Sequence, residues 1–459
     1  MSVERALESY RDNRRSHLDD LATLVRIPSV GFEGFDHTEL RRSAAAVAAI
    51  LKSRGLEHVE ILEIEGAHPY VYGDWLNAPG KPTLLLYAHH DVQPPGRDEV
   101  WKSPPFEPTE RDGRLYGRGV ADDKAGIVAH TASISSWLGG AGRLPVNVKV
   151  IIEGEEECGS GHLPAFLERY GRKLAADILV LTDGANFDTG LPALTTLLRG
   201  LVIVDVELRA LDHPLHSGMW GGPLPDPAMA LARVLSTLVD DEGEIAVEGI
   251  LDRVRPLTPS EREEMRRLPV TREQFREQTG LLPGCRLLGS AGMPYETIWR
   301  RPSLTVNAVQ ASSRRMASNI ICDTAWARVG IRIVPDQVPG EVRDLLIAHM
   351  KERVPWGLEA TFTGDLADGW WMTEPSHPVF EKARAALALG FGREPLIMGC
   401  GGSIPFVGPL SKALGGAPAL LVGVEDPYTN AHSENESLHL GDFDAAVRSE
   451  IHLFDLIAR

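Results

Sequence analysis

The sequence predicts an α/β fold built on a mostly parallel sheet, with a smaller α+β domain inserted into it. Three observations carry the prediction. Short apolar runs recur along the 459-residue chain and end in Gly or charged residues. Helix-like stretches lie between several of these runs. Near Leu197 the pattern changes to alternating strands, and it changes back towards the end of the chain. Strands buried on both faces read as continuous apolar runs, whereas strands with one wet face alternate.

The elements follow in order. The first 30 residues (VERALESYRDNRRSHLDDLATLVRI within them) are charged and helix-like, without the apolar core of a secretion signal. Candidate buried strands are Thr83–Tyr87, Val146–Ile152, Asp177–Leu181, Leu396–Met398 and Ala419–Val424. Lys124–Leu138 and His162–Leu174 supply helices between them, the alternation of an α/β fold. From Leu197, LLRGLVIVDVELRAL alternates, a polar Arg/Glu-rich stretch follows (Leu251–Gln278), and AWARVGIRIV forms another strand before the pattern reverts near Gly364–Trp371. The expected division is therefore 1–196 and 369–459 for the main domain and 197–368 for the insertion.

Composition narrows the function classes. With 43% hydrophobic and 24% charged residues the chain can bury a large core in two domains. A formal charge of -17 disfavours nucleic acid and leaves no basic patch for anionic lipid. No run of 18 apolar residues occurs, so no membrane span is expected and the protein reads as cytoplasmic. The four cysteines, Cys158, Cys285, Cys322 and Cys400, form no C-x-x-C pair, so neither a disulfide framework nor a thiolate zinc knuckle is suggested.

Polar groups gather where the apolar strands end. LLLYAHHDVQP runs into His89, His90 and Asp91. LYGRGVADDKAG places Asp122 at the start of a helix, IIEGEEECGS piles up Glu153, Glu155, Glu156 and Glu157, LVLTDG ends in Asp183, and NAHSENES carries His432. In α/β sheets, ligand sites lie beyond the carboxyl ends of the strands. Taken singly, the acidic run reads better as a solvated turn and Asp122 equally well as a helix cap. Jointly they form a His/Asp/Glu set whose mutual repulsion a divalent cation relieves, and such a set without cysteine suits zinc, with manganese or cobalt compatible.

In order, AHHDVQP, GRGVADDKAG, EGEEECGS, LTDG, LHSGMWGG, GGSIP and NAHSENES resemble the motif series of the M20 metallopeptidases, from VRIPSV at Val25 onward. The family includes carnosinase-like dipeptidases, glutamate carboxypeptidases and N-acyl amino acid deacylases. The resemblance implies a di-zinc aminopeptidase-like catalytic domain with an inserted lid through which chains dimerise. It implies metal ligands His89, Asp122 (bridging), Asp183, Glu157 and His432, with Asp91 orienting His89 and Glu156 as general base. His90 is expected as a pocket neighbour only. On the lid, the resemblance implies that His216 serves as oxyanion donor and Arg332 as the grip on the substrate's carboxylate, with Asn307, Gly402 and Ser403 also lining the substrate's path. The resemblance implies a dipeptidase that hydrolyses small unblocked peptides, with an N-acyl amino acid deacylase or glutamate-type carboxypeptidase of the same metal chemistry as the alternative. Where many relatives carry Arg-Glu before GGSIP, this chain has Gly399-Cys400.

Overall fold

The computed structural model describes residues 2–289 and 293–459. It falls into two compact units: unit 1 is Met1–Thr196, Thr373–Met398 and Ile404–Arg459, and unit 2 is Leu197–Met372 with Gly399–Ser403. The return to unit 1 comes at Thr373, where the sequence reading has residue 369, and the turn Gly399–Ser403, which that reading includes in 369–459, groups with unit 2.

Unit 1 is organised around the strand Thr83–His89, whose central residues are all apolar and fully buried. Parallel to it on one side runs Asn147–Glu153, and on the other Ile178–Leu181, itself paired in parallel with Ala419–Leu421. Strands Tyr70–Trp75 and Glu57–Leu62 extend the sheet antiparallel beyond Asn147–Glu153. The helix Lys124–Ala141 is buried along most of its length, and Gly142 ends it in the left-handed conformation (φ 72°) that favours glycine. Gly140 lets the N-terminal helix Ser2–Val25 lie against it, since a Cβ there would come within 2.3 Å of the Arg5 carbonyl. The C-terminal helix Leu440–Ala458 completes the layer. A single hydrophobic cluster joins these helices to the strands. The strand Leu396–Cys400, expected to be buried, is half-exposed: Ile397 is 38% exposed.

Unit 2 is a four-stranded antiparallel sheet in the order Ser303–Gln310, Thr324–Ile333, Gly200–Arg209, Glu359–Asp368. Inward-facing Val202, Val204, Val206 and Leu208 pack with Val329 and Ile331 against helices Pro227–Leu235 and Pro339–Glu352. This is the period-2 alternation of a sheet with one covered face.

Candidate metal centre

The site in unit 1 forms where three parallel strands end together. His89 is the last residue of its strand and faces Glu153 across the ladder, and Asp183 lies two residues beyond Ile178–Leu181. The turn after Asn147–Glu153 carries Glu156 and Glu157. Asp122 enters from the segment just before the helix Lys124–Ala141, and His432 from a loop in which Asn430, His432 and Asn435 all take positive φ (56°, 61° and 61°). Non-glycine residues adopt this conformation uncommonly, and such positions cluster at functional sites.

These residues make two donor groups that share one carboxylate. His89, Asp122 and Asp183 form the first, and Asp122, Glu157 and His432 the second, with donor atoms within 4.8 Å of one another in each. His89 Nε2 lies 3.0 Å from Asp122 Oδ1, while His432 Nε2 lies 3.0 Å from Asp122 Oδ2 and 3.2 Å from Glu157 Oε2. A tetrahedral ion with ligands at about 2.0–2.1 Å holds its donors roughly 3.3–3.5 Å apart, so the spacings fit a divalent ion in each group. Beside them both carboxylate oxygens of Asp123 are buried without a hydrogen-bond partner, and burial drives its carboxyl well above the usual range, towards the neutral form.

The surrounding bonds fix the donors. His89 Nδ1 lies 3.1 Å from the Asp91 carbonyl and 3.4 Å from its carboxylate, which leaves Nε2 to face Asp122. The Asp91 carboxylate also accepts the backbone N–H groups of Glu156 (3.3 Å) and Glu157 (3.0 Å), tying the acidic turn to the histidine. Gln93 donates to both oxygens of Glu157 through its backbone (3.0 Å) and side chain (2.8 Å). Glu436 is wholly buried and accepts from Arg118 Nη1 (2.7 Å) and from the backbone N–H groups of Gly119, Ala121 and Asp122. It thereby holds the segment that presents Asp122. His90 lies outside the ligand groups, with Nε2 2.9 Å from the Pro69 carbonyl, and burial pushes its pKa down to about 4.

The electrostatics match this crowding. Burial, reinforced by Asp183, drives the Glu156 carboxyl well above its ordinary range. Burial and Asp122 push Glu157 up to about 7, and burial pushes Asp183 up to about 6. At Asp122 burial acts in the same direction, but the bonds from His432 and His89 outweigh it and hold its pKa low. His432, in return, rises to about 11 against burial.

A third group, Asp426, His439 and Asp442, has similar spacing but its oxygens are already engaged. Arg114 grips Asp426 with two 2.7 Å bonds, and Asp442 accepts the Gly190 N–H while bonding His439 at the start of the C-terminal helix. It reads as a helix cap.

Unit 2 holds the remaining predicted residues. Arg332 stands opposite Ser303 in the sheet and donates from Nη1 to Ser403 Oγ at 3.2 Å, and burial lowers its pKa. Arg199, which the sequence reading passed over, is nearly buried and donates to the Gly401 carbonyl (2.9 Å) and Ser303 Oγ (2.9 Å). The Gly402 carbonyl accepts from Arg199 N–H, and the Gly402 N–H lies 3.3 Å from Cys400 Sγ. Asn307 is exposed, with its side chain lying over Gly330, where a Cβ would meet its Oδ1 at 2.6 Å. His216 is exposed and its Nδ1 accepts the Gly218 N–H at 3.0 Å. Asp123, Gln93 and Glu436 were also missed. Glu436 stands in the NAHSENES motif, but nothing in that motif alone separates it from Glu434, which pairs with Arg97 instead.

The chain resembles known proteins along most of its length. The chain is 33% identical over 409 residues to the cysteinylglycine-S-conjugate dipeptidase of Corynebacterium striatum, covering 88% of this chain and 87% of that one. Human carnosine dipeptidase 1 superposes with a TM-score of 0.91 at 25% identity, over 100% of this chain and 99% of its own. The M20 family metallo-carboxypeptidase of Sulfolobus solfataricus superposes with a TM-score of 0.84 at 27% identity, over 96% and 99%. The model of peptidase family M20/M25/M40 matches residues 85–455, and the chain belongs to that family.

Proposed function

We propose that this protein is a dipeptidase that hydrolyses small unblocked peptides with two divalent metal ions, zinc first among the candidates. The observation that carries the reading is the sharing of Asp122 between two three-donor groups, with the non-ligand Glu156 beside them. Ions held there would polarise the scissile carbonyl and lower the pKa of a water towards neutrality. His89, Asp122 and Asp183 would hold the first ion, and Asp122, Glu157 and His432 the second. Asp91 keeps the His89 ring in one orientation. Glu156 takes a proton from the attacking water and delivers it to the leaving amine nitrogen, the work of a general base and acid that is not itself a ligand. Arg332 holds the substrate's terminal carboxylate, a task that matches a planar guanidinium, and Asn307, Gly402 and Ser403 border the bound peptide.

The named relatives favour dipeptides, whereas the carboxypeptidase likeness keeps a second reading in view, an N-acyl amino acid deacylase or carboxypeptidase with the same chemistry. Metal-loaded protein assayed against a dipeptide panel and against N-acetyl and N-succinyl amino acids separates the two. Turnover confined to the N-acyl compounds overturns the dipeptidase.

We further place the protein in the cytoplasm as a homodimer joined through unit 2, with His216 acting in the site of the partner subunit. The four free cysteines fit a reducing compartment. Among the described residues no helix is long and apolar enough to cross a membrane. Mixing inactive Glu156→Gln and His216→Ala chains tests the shared site. Random exchange restores about a quarter of wild-type activity if His216 acts across the two-fold axis, and none if it acts within its own chain.

A further inference from the structure

The central strand Thr83–His89 and its neighbour Ile178–Leu181 stay in register until Tyr87 faces Leu181. Beyond that rung they lead to His89 and Asp183, and the next ladder bond, from Thr182 N–H to the Tyr87 carbonyl, is stretched to 3.5 Å. His130, on the helix Lys124–Ala141, reaches this weak point. Its Nε2 lies 3.0 Å from the Tyr87 carbonyl and 3.2 Å from Thr182 Oγ1. Its Nδ1 lies 2.7 Å from Glu450 Oε1 on the C-terminal helix, and Glu450 Oε2 accepts from Ser133 Oγ at 3.1 Å. The ring is fully buried.

Three elements meet at this one imidazole, and each leads to a donor of the first group: His89 and Asp183, next to its strand partners, belong to that group alone, while Asp122 is shared with the second. The helix begins two residues after Asp122, the central strand ends in His89, and Thr182 directly precedes Asp183. Glu157 and His432 lie on the turn 156–158 and on the loop after Ala419–Leu421, and neither is among the hydrogen-bond partners of His130. Burial opposes charge on the His130 ring, but Glu450 outweighs it and raises the pKa, favouring the form in which both nitrogens donate.

We propose that His130 is a positioning residue that sets the donor spacing of the His89–Asp122–Asp183 group, so that its loss weakens one of two metal positions and spares the other. The inference rests on the two-metal reading. A residue that merely glued helices to the sheet would change melting temperature without telling the two ions apart.

The amides of glutamine and asparagine separate the two ends of the ring. Gln places its amide near the position of Nε2 and keeps the bond to the strands. Asn places its amide near Nδ1, keeping Glu450 and losing the strands. Metal-free wild type, His130→Gln and His130→Asn would each be titrated with Zn²⁺ and with Co²⁺ in competition with a chromophoric chelator, and the Co²⁺ absorption bands followed. Wild type and His130→Gln are expected to bind two ions alike. His130→Asn is expected to lose about tenfold in affinity at one position only, the scale seen when outer contacts of metal ligands are removed. Two ions in the wild type with both weakened, or neither, in His130→Asn overturns the positioning role. A single ion in the wild type overturns the two-metal reading and this inference with it. If His130→Asn does not survive metal removal, release of ions from loaded protein to EDTA gives the same answer: one accelerated phase supports the role, and two or none overturns it.

Discussion

In unit 1 the side chains at the site are acidic, buried and crowded, whereas in unit 2 the most enclosed functional groups are guanidinium ions. The partners of Arg199 and Arg332 among the described residues are the Gly401 and Arg301 carbonyls and the Ser303 and Ser403 hydroxyls, none of them a carboxylate. Elsewhere in unit 2, arginines do pair with acids, as Arg328 does with Asp205 and Arg301 with Glu244. Burying charge without a counter-charge costs several kcal/mol, so each unit holds an electrostatic deficit that folding alone leaves open. The deficits have opposite sign. Under the proposed function, cations answer the one and the anionic end of a substrate answers the other.

The comparison breaks first at Glu156. Glu156→Gln should keep fold and metal content but lose about 10²–10⁴ in kcat, because the amide is nearly isosteric and cannot take the proton. Glu157→Gln should instead release metal. Metal analysis alongside steady-state kinetics checks both, and the reverse pattern would shift the assignment by one residue.

Next is the cradle under Asp122. Glu436→Gln leaves Arg118 buried without its counter-charge, and breaking a buried ion pair by removing one partner costs about 3–5 kcal/mol. Denaturant unfolding of the loaded protein reads this directly, and an unchanged midpoint would show that unit 1 does not depend on matched buried charge.

On the basic side, Arg332→Met should raise KM for peptides with a free terminal carboxylate by about 10–100-fold, the equivalent of one charged hydrogen-bonded contact of about 1.5–3 kcal/mol. The same peptides with an amidated terminus should respond little. Equal losses on both would remove carboxylate recognition from Arg332.

The smallest effect concerns a buried ionisable group away from the ligand set. His17 is 1% exposed, both ring nitrogens lack partners, and burial, with Arg54 adding to it, pushes its pKa down to about 4. The unfolded chain therefore binds a proton that the folded chain refuses, and stability present above pH 6.5 is lost as pH falls towards 4. His17→Phe, which can keep the stack on Tyr10, should reduce the loss between pH 7 and pH 4.5 by about 1–2 kcal/mol. An unchanged acid sensitivity would locate it elsewhere.

How much of this was legible in the sequence follows from where the signal lies. The central strands stood out because continuous apolar runs are improbable unless both faces are covered, and their charged ends drew attention for the same reason. The edge strand Glu57–Leu62 and its buried neighbour Tyr70–Trp75 escaped: the first is mostly exposed and carries two glutamates, and the second interrupts its aromatic residues with Gly73 and Asp74. His89, Asp122, Glu157, Asp183 and His432 could be grouped because each lies within a motif that resembles the family's series. Asp123 could not, since its isolation shows only once its surroundings are built. His130 resembles any polar residue inside a helix until Glu450, 320 residues later, folds back upon it. Arg332 was visible through family likeness alone, and Arg199 through nothing local.

The Glu436 cradle also has a consequence in time. Its bond to the Gly119 N–H joins residues 317 positions apart, so the segment before Asp122 is synthesised long before the carboxylate that will order it. At the usual pace of synthesis, about 5–20 residues per second, the ribosome spends tens of seconds between the two. Throughout that interval the aspartate shared by the two donor groups sits on a segment that has not yet met Glu436, and His432 does not yet exist. The nascent chain therefore holds at most one complete donor group, and hydrolytic competence arrives as a late event, when almost the whole polypeptide is available to enclose it.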